Sequence, residues 1–321
     1  EIGVRLVGSE MCIRDSTRIM NVSSPWLRSY LNGEIDTPLV ISTTGSGGKA
    51  KEVEIPAKVL LATSKAALKY LNAKSGEVWS LLIPTNHIAG INVLTRAILL
   101  GTEVVSVKEH ADYTSIVPTQ LHNAFNGDNE LLKHLQGCKA VLVGGARTPD
   151  NLLSLARENG INVITTYGAT ETCGGCIYDG RPLEGVSMRI VNGLVEIQIS
   201  EMNHGDWIQL NDLGEIEDGR LKILGRKDDV IISGGENISL VRLEKYLERS
   251  FPNQKFLALS LPDDKWGDSL ALISDSPFPS NMDIEIEKDL GKLYLPKSTK
   301  VVPEIPQIGI GKYDRNKASE L

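Results

Sequence analysis

The sequence predicts an α/β fold with three parts. These are a large N-terminal domain with helices on a parallel sheet, a small antiparallel or barrel-like subdomain, and a small α+β C-terminal domain. Three observations predict it. From Pro38 to Thr166 short β-branched runs alternate with amphipathic stretches, the order that a parallel sheet with crossover helices requires. After about residue 180 the rhythm changes to short strands separated by turn residues. A length of 321 residues is long for one hydrophobic core and comfortable for two domains.

Residues 1–37 read as an N-terminal extension, in which 1–16 show neither period nor caps and are expected to be foreign to the fold or disordered. LVIS (39–42) is the first strand, and VLLATSKAALKYL (59–71) a helix with apolar positions three and four apart. VWSLLIP (78–84) is the next strand, and a helix from about Ile88 to Leu100 is closed by Gly101. EVVSV (103–107) and AVLVGG (140–145) are apolar without alternation, as strands buried on both faces are. PDNLLSLARENG has Pro149 and Asp150 at a helix start and Gly160 just past its end, before the strand VITT (163–166). VSMRIV, LVEIQI, WIQLN and GRLKILG supply the smaller sheet. A boundary at Arg226–Asp228 separates residues 38–225 from 226–321, where the helix LVRLEKYLERS opens an α+β segment.

Composition excludes more than it identifies. A formal charge of -7 argues against a nucleic-acid surface, which needs a basic footprint, although local cations suffice for a nucleotide. Four cysteines are too few for a disulfide framework in a chain of this size. No apolar run reaches membrane-spanning length, and the N-terminus has no secretory-signal pattern. A cytoplasmic, reduced protein is expected, and a homodimer is plausible on the general frequency of dimers.

Four stretches offer chemistry. STTGSGGKAK (42–51) follows a strand, and its small residues would let backbone N–H groups approach a polyphosphate while a lysine neutralises charge. It lacks the Walker spacing, and such a loop is a flexible connection about as often as a phosphate cradle. YGATET (167–172) lies beyond a strand's carboxyl end, where open α/β sheets bind ligands. Tyr167 offers a ring face, Thr170 a donor and Glu171 an oxygen for Mg²⁺, but taken alone the hexapeptide is more often a turn with a buried tyrosine. GGA (144–146) could lie flat against a purine or be a simple turn. In residues 210–239 Asp212 can accept both hydroxyls of a ribose and Arg226 suits sugar or phosphate. In IPQIGIGKYDR (305–315) Lys312 follows a glycine, and a lone C-terminal lysine is ordinarily a solvated surface group.

Together, in this order and spacing, the four stretches resemble the adenylate-forming superfamily of acyl- and aryl-CoA ligases, luciferases and peptide-synthetase adenylation domains, from about Pro38 to Arg315. The resemblance implies an ATP-dependent acid–thiol ligase that forms an acyl-adenylate and passes the acyl group to coenzyme A, with Mg²⁺ as its metal. It implies an AMP-binding large domain and a mobile C-terminal lid. Thr43, Thr44, Gly45, Ser46, Gly47 and Lys51 would then close on phosphate. Gly144, Gly145, Ala146, Tyr167 and Gly168 would frame adenine, Thr170 would contact the α-phosphate, Glu171 would hold Mg²⁺, and Asp212 and Arg226 would bind ribose. Asp228 would be the hinge and Lys312 the lysine of the adenylation step. Gly47 stands where the family usually has Thr and Ala50 where it has Pro, so the phosphate loop is looser than the pattern; Asn211 stands where the family has Gly, but Asp212 after it is intact.

The short lead before the phosphate loop resembles the actinobacterial type of o-succinylbenzoate–CoA ligase, of menaquinone biosynthesis. So do the stretches PTNHIAGINVLTRAILLGTEVV, SIVPTQL and ETCGGCIYDGRPLEGVSMRI. Gly174 and Gly175 would line the acyl pocket. The resemblance puts His87 at a gate between the ATP and acyl sites. His87 and Arg96 are the candidates to meet the acid's polar groups; Arg96 is equally readable as an exposed helix residue. CxxC at Cys173 and Cys176 lacks a second pair, so a close-packed glycine loop is expected rather than zinc. The alternatives are a ligase for another aryl or short-chain acid, a domain loading a carrier protein, and an inactive nucleotide-binding remnant. A dehydrogenase is disfavoured because VLVGGAR lacks the GxGxxG spacing.

Overall fold

A computed structural model describes residues 4–6, 22–44, 50–202, 205–233, 236–263, 267–308 and 312–321. Contacts group the chain into two compact units. The first comprises Glu1–Val191, Val195–Leu210 and Ile216–Lys222; the second comprises Asn192–Leu194, Asn211–Glu215 and Ile223–Leu321.

The first unit is built on a six-stranded sheet in the order Trp79–Ser80, Tyr113–Ile116, Ala140–Val143, Val163–Ala169, Gly174–Tyr178, Arg181–Pro182. The first four strands pair in parallel and the last two antiparallel. Alternate side chains of one strand enter different cores. Val141 and Val143 pack with Leu121, Leu135 and Ala156, whereas Ala140 and Leu142 pack with Ala67, Val93 and Ala97. Helices therefore cover both faces, which explains why AVLV is apolar without alternation.

Helix Ile88–Leu100 has the expected bounds and ends at Gly101 in the left-handed conformation, with φ of 75°. Helices Ala57–Tyr70 and Asp150–Glu158 also stand where periodicity placed them. Other expectations need correction. EVVSV forms no strand of its own; Val105 exchanges two 3.0 Å backbone hydrogen bonds with Trp79 and Leu81 and makes one isolated bridge to Ser80. VWSLLIP contributes only Trp79–Ser80 to the sheet, and VITT continues to Ala169 by turning from a parallel neighbour to an antiparallel one. Strand Tyr113–Ile116 and helices Pro118–Phe125 and Asn129–Gly137 were not expected. The backbone of Val4–Leu6 pairs antiparallel with Leu39–Ile41.

Val186–Val191, Leu194–Ile199, Trp207–Glu217 and Arg220–Arg226 form a four-stranded sheet in chain order. In the second unit, the antiparallel pair Phe256–Asp263 and Gly267–Ser274 is the centre of a five-stranded sheet. Ala258 and Leu272 pack under helices Leu240–Ser250 and Met282–Leu290, with Leu243, Leu247 and Ile286. Leu257, Leu259 and Ile273 pack on the other face with Ile305 and Ala318. Among the described residues no helix is long and apolar enough to cross a membrane.

Candidate active site

In the first unit Gly144, Tyr167, Gly168, Thr170 and Glu171 lie at the carboxyl ends of the parallel strands. Strands Leu39–Thr44 and Ala50–Ile55 form an antiparallel hairpin in which Thr43 faces Lys51 and Thr44 faces Ala50. Gly45, Ser46 and Gly47 lie outside the described residues, and of Thr43 and Thr44 the backbone alone is described. The hairpin's second strand lies against the turn Thr170–Thr172. There Lys51 Nζ meets Glu171 Oε1 at 3.2 Å, joining the phosphate-loop lysine to the expected Mg²⁺ ligand across 120 positions of sequence.

Backbone proximity explains why small residues surround that turn. A Cβ on Gly144 would lie 2.2 Å from Thr166 Oγ1 and 2.9 Å from its carbonyl oxygen, and one on Gly168 would lie 2.0 Å from the Gly174 carbonyl oxygen. Gly144, Gly145 and Ala146 directly follow strand Ala140–Val143, and Tyr167 and Gly168 lie within the neighbouring strand, next to a register shift between them. Tyr167, Thr170 and Glu171 are half-buried. Ala169 N donates to Thr172 Oγ1 at 2.8 Å, which fixes the turn that presents Thr170 and Glu171.

Cys173, with φ of 55°, is followed by strand Gly174–Tyr178 rather than by a loop, a correction to the sequence reading. Asn92, buried in helix Ile88–Leu100, donates from Nδ2 to the Cys173 carbonyl at 2.8 Å and would touch any Cβ on Gly174 at 2.6 Å. Asn92 was missed by sequence reasoning; a lone amide inside the apolar stretch INVL was the available signal. Thr166, wedged between Gly144 and Gly175, was missed as well. Burial pushes the thiols of Cys173 and Cys176 up to about 12, leaving them protonated and inert, and no cluster suited to a metal occurs among the described residues.

His87 precedes helix Ile88–Leu100 as its half-buried N-terminal neighbour. Arg96, on the same helix, is buried rather than exposed: 4% of its surface is accessible, because the helix is covered nearly all round. Its Nη2 donates to Tyr178 Oη at 3.0 Å, its guanidinium carbon lies 5.1 Å from the Trp79 ring centroid, and its Nε has no hydrogen-bond partner among the described residues. No carboxylate among the described residues forms an ion pair with it.

In the second unit Arg226 Nη1 stands 3.9 Å from Asp212 Oδ1, which brings the two expected ribose ligands together. Asp228 lies in the turn Lys227–Asp229, and Lys312 in the short strand Lys312–Tyr313, paired with Gln307–Ile308; the backbone alone of both residues is described.

The sheet, its turn of small residues and the acid at its carboxyl end define a nucleotide-binding α/β enzyme. Residues 32–216 match the AMP-binding enzyme family, and the chain belongs to it. The Mycobacterium tuberculosis (strain CDC 1551 / Oshkosh) protein named "Probable 2-succinylbenzoate--CoA ligase" is 30% identical, over 87% of this chain and 83% of that protein. The "2-succinylbenzoate--CoA ligase" of Bacillus pumilus is 26% identical, over 88% of this chain and 68% of that protein. Among solved structures, wild-type E. coli MenE with a bound m-phenylether-linked analogue of OSB-AMS matches with a TM-score of 0.70 at 25% identity, covering 87% of this chain and 68% of that one.

Proposed function

We propose that this chain is an acid–thiol ligase that converts o-succinylbenzoate, ATP and CoA to o-succinylbenzoyl-CoA, AMP and pyrophosphate. The names of its relatives carry the choice of acid.

The resemblance to adenylate-forming enzymes assigns the remaining roles. In the first half-reaction a carboxylate oxygen of the substrate attacks the α-phosphorus of ATP and pyrophosphate leaves. Positioning and cationic stabilisation supply most of such catalysis. Lys51 and the phosphate loop take the outer phosphates, Gly144, Gly145, Ala146, Tyr167 and Gly168 frame the adenine, and Thr170 donates to the α-phosphate. Asp212 and Arg226 bind the ribose. Glu171 is a single half-buried carboxylate, which fits an ion held by one protein oxygen plus substrate phosphates, and Mg²⁺ there would neutralise phosphate charge. Lys312 stabilises the charge developing during adenylation, and Asp228 is the hinge. In the second half-reaction the CoA thiolate attacks the acyl carbonyl and AMP leaves; Gly174 and Gly175 line the acyl pocket and His87 gates it.

The test is pyrophosphate release with ATP, Mg²⁺ and CoA against o-succinylbenzoate, benzoate, 4-coumarate and hexanoate. Turnover is expected with o-succinylbenzoate alone, falling at least about 100-fold in Lys312→Ala. Turnover confined to a monocarboxylic acid overturns the assignment of the acid, and none with any acid favours a nucleotide-binding remnant.

A further inference from the structure

One side chain ties the arm that carries Lys312 to two other elements. Arg315, three residues on, opens the last helix, Arg315–Ser319. Its Nε donates to Asp229 Oδ1 at 3.1 Å and its Nη2 to Glu244 Oε2 at 3.0 Å. Glu244 is fixed in turn, because its other oxygen accepts from Ala258 N at 2.9 Å. One planar guanidinium thus joins three stretches of the second unit: the turn Lys227–Asp229, helix Leu240–Ser250 and the C-terminal arm. The Arg315, Asp229 and Glu244 side chains are 26%, 14% and 21% exposed, so solvent screens this network less than it does a surface ion pair. The task suits arginine specifically, since its fork reaches two carboxylates on different elements and a lysine's point charge reaches one.

Little slack separates Arg315 from Lys312. Lys312 faces Ile308 in the terminal hairpin, Asp314 N donates to Pro306 O at 2.8 Å, and Asp314 Oδ1 accepts from Lys317 N at 2.9 Å. The helix keeps a second attachment through Ala318, which is buried with Leu257, Leu259 and Ile305. Removing the Arg315 side chain therefore loosens the arm without releasing it.

We propose that Arg315 is a positioning residue for adenylation. By tying the Lys312 arm to the turn that contains Asp228 and Asp229, it makes the hinge and the adenylation lysine move as one body. The inference rests on the roles proposed above for Lys312 and Asp228. It deepens them by assigning a task to a residue that touches no substrate.

The experiment measures both half-reactions in the full chain for Arg315→Ala, Arg315→Lys, Glu244→Gln and Lys312→Ala. Adenylation is read as pyrophosphate release, and the second step as CoA capture of a supplied acyl-adenylate. Arg315→Ala should lower kcat of adenylation about 10- to 100-fold, as a misplaced group does, with KM for ATP and the CoA step changed by less than about threefold. Arg315→Lys should recover part of the loss, and Glu244→Gln should lose less than Arg315→Ala. Amide exchange should quicken in Gln307–Ile308 and Lys312–Tyr313 and stay unchanged in Leu240–Ser250. Unaltered adenylation in Arg315→Ala, with Lys312→Ala inactive, overturns this proposal alone. An equal fall in both half-reactions with a lowered Tm assigns Arg315 a merely structural role and also overturns it. Full adenylation by Lys312→Ala defeats the reading of Lys312 and this proposal with it.

Discussion

Gly168 and Gly175 face each other across the antiparallel pair, yet they differ in what an added methyl group would meet. At Gly168 a Cβ would stand 2.0 Å from a backbone carbonyl oxygen and 2.7 Å from its carbon, atoms that move only if the hairpin opens. At Gly175 the nearest atoms are in the Thr166 side chain, at 3.1 and 3.3 Å, where a few tenths of an ångström suffice. Gly168→Ala should cost about 1–3 kcal/mol and Gly175→Ala clearly less. Thermal denaturation of the two variants checks this, and equal effects would refute it. Lys51 and Glu171 pose the opposite question. At 64% and 29% side-chain exposure their ion pair contributes only about 0–1 kcal/mol to stability. Lys51→Ala should therefore leave Tm nearly unchanged while raising KM for ATP by about 10-fold or more, because a charged hydrogen bond to phosphate is worth about 1.5–3 kcal/mol. A lowered Tm with normal ATP dependence would make the pair structural. At this scale the sequence nominates the residues proposed to carry chemistry, since their types and order are themselves the signal. It did not show Asn92 or Thr166, whose roles depend on carbonyls and glycines distant in the chain.

Elements were legible where they carry their own boundaries. Helix Ile88–Leu100 has Gly101 at its end, and helix Asp150–Glu158 begins after Pro149. EVVSV failed because apolar burial does not require a ladder: Val105 and Val107 pack against the core from a connection. Tyr113–Ile116 was passed over because YTSI looks polar, yet all four residues are buried and the Thr114 hydroxyl donates to Ser80 O at 3.3 Å. Also invisible in sequence was the network at the strands' amino ends. Lys139 Nζ reaches Glu77 Oε1 at 2.5 Å and Asp112 Oδ1 at 2.9 Å, and the Tyr113 hydroxyl donates to Glu77 Oε2 at 2.8 Å. These donors, the Lys139 ammonium first, hold the Glu77 carboxyl at about 2 against an ordinary 4.5. A folded-state value below the unfolded one means stability that is present above about 4.5 and is lost as pH falls toward 2. Lys139→Met should therefore be less stable than the parent near neutrality, and the gap should narrow as pH drops through that window. Denaturant titrations at several pH values test it, and a gap independent of pH would show that Glu77 does not depend on Lys139.

For the whole molecule, reading along the chain places one boundary after Gly225, whereas the second unit also takes in Asn192–Leu194 and Asn211–Glu215. A linear pattern cannot report this, because sheet pairing collects segments that are far apart in sequence. Each unit nevertheless encloses apolar cores of its own. Leu135 is fully buried in a core of the first with Leu121, Val141 and Ala156, and Leu243 is fully buried in a core of the second with Leu247, Leu272 and Ile286. Chains with separate cores commonly depart from two-state unfolding, so calorimetry should resolve two transitions. Leu135→Ala and Leu243→Ala each remove a buried isobutyl group at a cost of about 2–5 kcal/mol. At about 2–4 °C per kcal/mol for the first unit and about 4 °C or more for the smaller second, each variant should displace one transition well beyond measurement error and leave the other in place. MgATP, which binds only folded protein, should raise the transition lowered by Leu135→Ala, because that unit holds Lys51, Glu171 and the glycines proposed to frame adenine. A single transition displaced as a whole by either variant would mean that the cores unfold together.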